Sequence, residues 1–158
     1  MQAAPRQEHR WLERLVGEWT FEGDMEPAQP GSHHAGTERV RSLGGLWVLC
    51  EWEGPTPEGD VGHTLMTLGY DPARGRFVGT FIGSMMTHLW VYEGTLDATG
   101  QVLTLETEGP SFTTEGETGK YRDVLAFEGD DQRVFTSNYL GDDGEWHALM
   151  TLRYRRTA

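Results

Sequence analysis

One cysteine, no apolar run long enough to cross a bilayer, and thirteen basic residues against twenty-five acidic ones characterise the chain first by what it lacks. The lone Cys50 rules out an internal disulfide. No stretch approaches the ~18–20 consecutive apolar residues of a transmembrane helix, so a helical membrane span is excluded. Met1-Gln2-Ala3-Ala4-Pro5-Arg6 leads into no apolar core of the kind a signal peptide requires, and a cytoplasmic location is expected. The formal net charge is -12, and basic residues cluster only at Arg153, Arg155 and Arg156. That balance argues against nucleic acid as a partner, because such binding depends on neutralising phosphates. Its expected role is solubility. Also missing are a Gly-x-Ser-x-Gly elbow, a phosphate-binding glycine loop, and Cys or His at zinc-site spacing. Cys50 has no basic residue nearby in sequence to lower its pKa. No motif therefore implies a catalytic centre, a metal or a cofactor.

What is present is a turn-rich chain with a globular composition. Its 158 residues suit one domain spanning 1–158, and six Trp, five Tyr, six Phe and 21 Gly oppose disorder. Trp11, Leu12, Leu15 and Val16 share one face of a helix expected over 8–16, too short to stand alone and suited to packing over one open end of a sheet structure. After it, roughly ten short β-rich runs recur every ~8–12 residues. Strands are expected near 17–25, 36–42, 45–53, 62–70, 76–84, 87–95, 102–107, 120–128, 132–140 and 145–156. Asp71-Pro72-Ala73-Arg74-Gly75, Asp97-Ala98-Thr99-Gly100, Gly129-Asp130-Asp131 and Gly141-Asp142-Asp143-Gly144 supply the turn chemistry between them. Longer loops are expected at 26–35 and 109–119. Short turns join antiparallel neighbours, and no strand is blunted by Pro or Lys as an exposed edge would be. The fold class expected is therefore all-β, a closed antiparallel up-and-down barrel of about ten strands with a helix over one end.

Leu15-Val16-Gly17-Glu18-Trp19-Thr20-Phe21, with an Arg in the final strand, resembles the signature of the lipocalin and fatty-acid-binding superfamily. That resemblance implies a Trp at the barrel floor with an Arg across it, a contact worth about 0.5–2 kcal/mol. Parity on the last strand puts Arg156 with Ala148, Met150, Leu152 and Tyr154, which makes Arg156 the expected partner of Trp19. The segments Leu43-Gly44-Gly45, Gly69-Tyr70-Asp71-Pro72, Phe81-Ile82-Gly83-Ser84-Met85, Leu103-Thr104-Leu105, Tyr121-Arg122-Asp123-Val124 and Met150-Thr151-Leu152-Arg153-Tyr154-Arg155-Arg156 are similar to an uncharacterised bacterial domain-of-unknown-function family. The resemblance covers nearly the whole chain. It implies a lipocalin-like (calycin) barrel and no established activity. The family tends to carry an Asp where this chain has Gly83.

In a small barrel alternate residues of each strand point inward. The inward sets read from alternation are Trp19 and Phe21; Leu46, Val48, Cys50 and Trp52; Met66, Leu68 and Tyr70; His88, Trp90 and Tyr92; Arg122, Val124 and Ala126; Phe135, Ser137 and Tyr139; and Met150, Leu152 and Tyr154. From these come the candidate ligand-binding residues Trp52, Met66, Tyr70, His88, Trp90, Tyr92, Arg122, Phe135, Tyr139, Met150 and Tyr154. Such a lining suits a small apolar or amphipathic ligand, but a barrel filled by its own side chains gives the same pattern. Arg122 stands out as an inward cation, either clamping an anionic ligand or pairing at the rim with an Asp or Glu. Six histidines raise haem as an alternative, since barrels of related shape such as nitrobindin bind it through a histidine. His33-His34 lies in an expected loop and makes a poor chelate, and His63, His88 and His147 are isolated, with His88 the first to test. Met85-Met86 beside His88 and Trp90 forms a soft surface for variable ligands. Trp47 against Trp52 puts aromatics on both faces of one strand, compatible with a homodimer. Three readings stay open: a carrier or sensor of a small molecule, an enzyme acting through His88, and a filled-barrel scaffold.

Overall fold

In the computed structural model, which describes residues 1–25, 33–56 and 58–158, a short helical lead runs into ten antiparallel strands that close on themselves. The lead is α1 (Gln7–Leu12) followed by a 3₁₀ turn (Glu13–Leu15). The strands are β1 (Gly17–Met25), β2 (His33–Leu43), β3 (Trp47–Pro55), β4 (Val61–Asp71) and β5 (Arg76–Gly83), then β6 (Trp90–Leu96), β7 (Val102–Pro110), β8 (Thr118–Phe127), β9 (Gln132–Leu140) and β10 (Trp146–Arg156). Each strand pairs with its neighbours in sequence, and β1 closes the ring against β10 with Trp19 opposite Arg156. Closure of this kind leaves no unpaired sheet edge.

The helical lead is as long as the apolar stripe predicts, but its last turn tightens from α to 3₁₀, for a reason visible at its C-terminal end. Helix ends leave carbonyls without intrahelical partners. Here the Trp19 indole N–H donates to the Leu15 carbonyl at 2.8 Å, and Arg156 donates to the carbonyls of Arg14 and Val16. The tightened turn thus hands the chain straight into β1 while the floor residues satisfy its backbone. Trp11 fastens the other side of the lead by donating to the Gly100 carbonyl at 2.6 Å, its ring meeting Phe77 and Phe127 edge-on. The helical segment therefore seals one end of the barrel. Leu12, Leu15, Val48, Leu68, Leu103 and Leu105 fill that end and are essentially fully buried.

Several boundaries and faces differ from the sequence expectation. β2 begins at His33, so His33-His34 belongs to a strand rather than a loop, while 26–32 of the expected first loop lies outside the described residues. The second loop is shorter than expected, because Ser111 N–H bonds the Glu117 carbonyl and the Tyr121 hydroxyl bonds the Pro110 carbonyl, extending the β7–β8 ladder. Leu46 falls in the turn before β3, and β6 starts only at Trp90, leaving His88 outside it.

The inner face of β8 is Tyr121, Asp123, Leu125 and Phe127, not Arg122, Val124 and Ala126. Both faces of this strand contain apolar residues, and the larger ones fill the barrel. In β10 the register shifts between Ala148 and Met150. That bulge changes the parity, so Ala148 is exposed while Met150, Leu152 and Tyr154 keep the inner face.

Candidate functional site

Above the packed floor the barrel opens into a cavity of about 510 Å³. Of the readings left open by the sequence, the filled barrel is the one that this lumen disfavours. Packing fills the sealed end, whereas the upper half is lined by side chains that do not meet across it. Phe21 lies against Trp52 in a stacked arrangement with ring centroids 5.2 Å apart, and Trp90 meets Tyr121 edge-on at 5.1 Å. Gly109 makes room for Trp90, since a Cβ there would stand 2.2 Å from the indole. Met85 and Met86 flank the mouth, and the Trp90 indole N–H donates to the Met86 sulfur at 3.1 Å. Met85 lies over Gly83, where a Cβ would approach its sulfur to 2.5 Å. The Asp that the resembling family tends to carry at Gly83 would have to displace this methionine.

Among the described residues, buried charged side chains interrupt the apolar lining at two places. At the floor, Arg133 from β9 forms a buried ion pair with Glu38 from β2, the side chains being 3% and 10% exposed. The guanidinium sits 4.5 Å from the Trp19 ring centroid and 3.9 Å from that of Tyr154. Arg156 covers the Trp19 ring at 4.3 Å. The floor indole is therefore held by two arginines. Arg156 also reaches the Asp130 carbonyl and the Asp131 carboxylate, which fixes the β8–β9 turn. Burial, reinforced by the Glu38 charge, pushes the Tyr154 hydroxyl and the Cys50 thiol well above their ordinary pKa values. Cys50 is thus an inert thiol in the lumen wall.

The second place is at Asp123 on β8, whose Oδ2 accepts a hydrogen bond from the Tyr92 hydroxyl. Its other oxygen, Oδ1, has no hydrogen-bond partner. Burial raises the Asp123 pKa, outweighing the opposing effects of Tyr92 and Ser137, and burial beside Asp123 likewise raises that of Tyr92. The folded state therefore holds the Asp123 proton more firmly than the unfolded chain does. The stability this supplies is complete below the ordinary value of 3.8 and is lost as pH rises through the folded pKa. Asp123→Asn should accordingly match the wild type in acid and gain on it as pH increases. Urea midpoints at several pH values check this, and a gap that stays constant or narrows with rising pH would contradict it.

Seven of the expected ligand-binding residues line the lumen together: Trp52, Met66, Trp90, Tyr92, Phe135, Met150 and Tyr154. The other four lie elsewhere. Tyr70 is beneath the floor, where its carbonyl meets His9 Nε2 at 3.0 Å and its ring packs on Phe77. Tyr139 packs between Phe112 and His147 at the rim. His88 is not among the residues that line the lumen; its Nε2 lies 3.4 Å from the Glu108 carbonyl and its ring meets Trp90 edge-on. The lumen-lining imidazole belongs instead to His34. Arg122 lies on the outer face, paired with Glu106 at 2.8 Å and stacked over Trp146. Its charge is solvated rather than aimed at a ligand.

Sequence reasoning passed over Glu38, Asp123 and Arg133. Arg133 was within reach, since it shares the parity of Phe135 and Ser137. Glu38 shares that of the buried Val40. Asp123 was hidden by the choice of face on β8.

A ten-stranded antiparallel barrel with a helix-sealed floor and an open apolar lumen defines a lipocalin-like class of fold. Within it, residues 4–156 match the family described as "Protein of unknown function (DUF1579)", and the chain belongs to that family. No curated protein matches the chain. Among solved structures it is similar to Rv2717c from M. tuberculosis, with 12% identity, TM-score 0.66, and 98% of this chain and 100% of that one covered. The S-type phycobiliprotein lyase CPES from Guillardia theta matches at 17% identity and TM-score 0.56, covering 97% and 94%. A barrel named EF1p2_mFAP2b, bound to DFHBI, matches at 14% identity and TM-score 0.51, covering 94% and 98%. At these identities the likeness is one of fold.

Proposed function

We propose that the protein binds a small, largely apolar molecule inside the barrel, as a carrier or sensor. The observation that carries this reading is the open cavity of about 510 Å³, within the ~300–1,000 Å³ range of small-molecule sites. Its wall is aromatic and thioether-rich, with few polar groups, which is the composition that buries an apolar ligand and orients it. Polar atoms of Thr107, Asp123 and Arg133 in that wall are buried without hydrogen-bond partners. Such groups cost free energy in an empty lumen and are relieved by a ligand that meets them. The similar barrel bound to DFHBI supports the capacity of this architecture for small molecules. Burial holds Cys50 in the lumen wall as a thiol, so it lines the cavity as a small apolar group.

A thermal-shift screen of neutral and charged apolar compounds tests the reading. A ligand present at about 100 times its Kd adds ~2.7 kcal/mol and raises the unfolding midpoint visibly. Quenching or blue shift of Trp52 and Trp90 emission should accompany the rise, because both line the lumen. A screen in which no apolar compound moves either signal would contradict the proposal.

A further inference from the structure

We propose that the lumen selects an apolar ligand carrying a protonated amine, which docks on the free Oδ1 of Asp123. This rests on the reading of the barrel as a binding module and adds the chemistry of its ligand. Asp123 lines the cavity, is 9% exposed, and has one oxygen occupied by Tyr92 and the other unpartnered. A buried carboxyl with a vacant acceptor calls for a donor, and an ammonium is the donor that also matches its charge.

The balance of charge in the lumen points the same way. Among the described residues that line it, the guanidinium is Arg133 and the carboxylates are Glu38 and Asp123. Arg133 is already neutralised by Glu38 and sandwiched between the faces of Trp19 and Tyr154. Arg133 Nε is also without a partner, but its guanidinium charge is already matched by Glu38, so a carboxylate docking there would add an unmatched negative charge beside Glu38. That same ligand would bring a second negative charge into the cavity that holds Asp123. An amine meets the opposite situation. Its charge is matched by Asp123, and the aromatic wall around Tyr92, Tyr121 and Trp90 offers π faces to a cation. The net charge of -12 also concentrates cations around the molecule and repels anions.

Decylamine, decanol and decanoate share one chain and differ only in the head group, so they isolate the selection. Binding is measured near neutral pH by titration calorimetry, with lumen tryptophan emission as a second readout, on the wild type and on Asp123→Asn. The wild type should bind decylamine roughly tenfold more tightly than decanol, because the ammonium adds a matched charge to the hydrogen bond that either head group can donate, with decanoate weakest. In Asp123→Asn the preference for the amine over the alcohol should disappear. Decanoate binding as tightly as decylamine overturns the proposal, and so does an amine preference that survives the substitution. Because the wild-type ligand series decides by itself, the proposal stays open to refutation even if the variant folds poorly. Equal binding of all three compounds removes the amine selection and leaves the binding module standing, whereas binding of none removes both.

Discussion

Arg133→Met should destabilise the protein by about 3–5 kcal/mol, because it strands Glu38 as an uncompensated charge inside the barrel. The magnitude follows from burial: the two side chains are 3% and 10% exposed, so water cannot replace the lost partner. Glu38→Leu should cost a similar amount for the mirror-image reason, since Arg133 is then the uncompensated charge. The informative variant is the pair Arg133→Met with Glu38→Leu, which removes both charges and both desolvation penalties. Replacing a whole buried ion pair by apolar groups is often neutral or stabilising, so the double variant should recover most of what either single one loses. Equilibrium urea unfolding of the four proteins gives the coupling directly. Purely additive losses would contradict the view that the pair acts as one unit.

Trp19→Ala should be comparably damaging, at about 3–5 kcal/mol, the usual cost of deleting a buried aromatic. Trp19 is 1% exposed and does more than fill space. Its ring lies within 4.5 Å of Arg133 and 4.3 Å of Arg156, and its N–H satisfies the Leu15 carbonyl. Removing it opens the floor, withdraws an aromatic face from both guanidinium groups, and frees the end of the helical lead. Trp19→Phe keeps a ring between the arginines and loses the N–H donor, so its cost should be nearer 1–2 kcal/mol. Protection of the amides around Leu15 in hydrogen exchange should fall in both variants. A Trp19→Ala protein with wild-type stability would mean that the floor does not hold the barrel closed.

These two sites show how unevenly the sequence exposes its structure. Strand positions were legible because turn chemistry at Asp71–Gly75, 97–100, 129–131 and 141–144 punctuates a regular alternation. Closure was legible because no strand carried the marks of an edge. Trp19 beside Arg156 was legible because the Gly-x-Trp resemblance implies an arginine across the floor indole and parity on the last strand selects Arg156; the two do lie opposite each other. Which face of β8 points inward was not, since Val124 and Ala126 on one side and Leu125 and Phe127 on the other are all apolar. The choice is made by volume, which depends on what lies across the barrel. The bulge between Ala148 and Met150 was equally hidden, because a single extra residue leaves no mark in an alternating strand. The ion pair was hidden for a different reason. Glu38 and Arg133 are 95 residues apart and meet only once the ring has closed. A buried charge reads in sequence as a polar interruption of an apolar face, and its partner cannot be found without the topology.

The most direct measurement is the stoichiometry with which Nile red, a neutral apolar dye, binds the wild type and a Ser137→Trp variant. Ser137 lines the lumen beside Asp123 in the β8–β9 register, so an indole there occupies the space a ligand needs. An open lumen predicts one dye bound per chain, with its fluorescence enhanced, and none bound to the plugged variant at unchanged stability. Undiminished binding to the plugged variant, or no binding to the wild type, would place the apolar site somewhere other than inside the barrel.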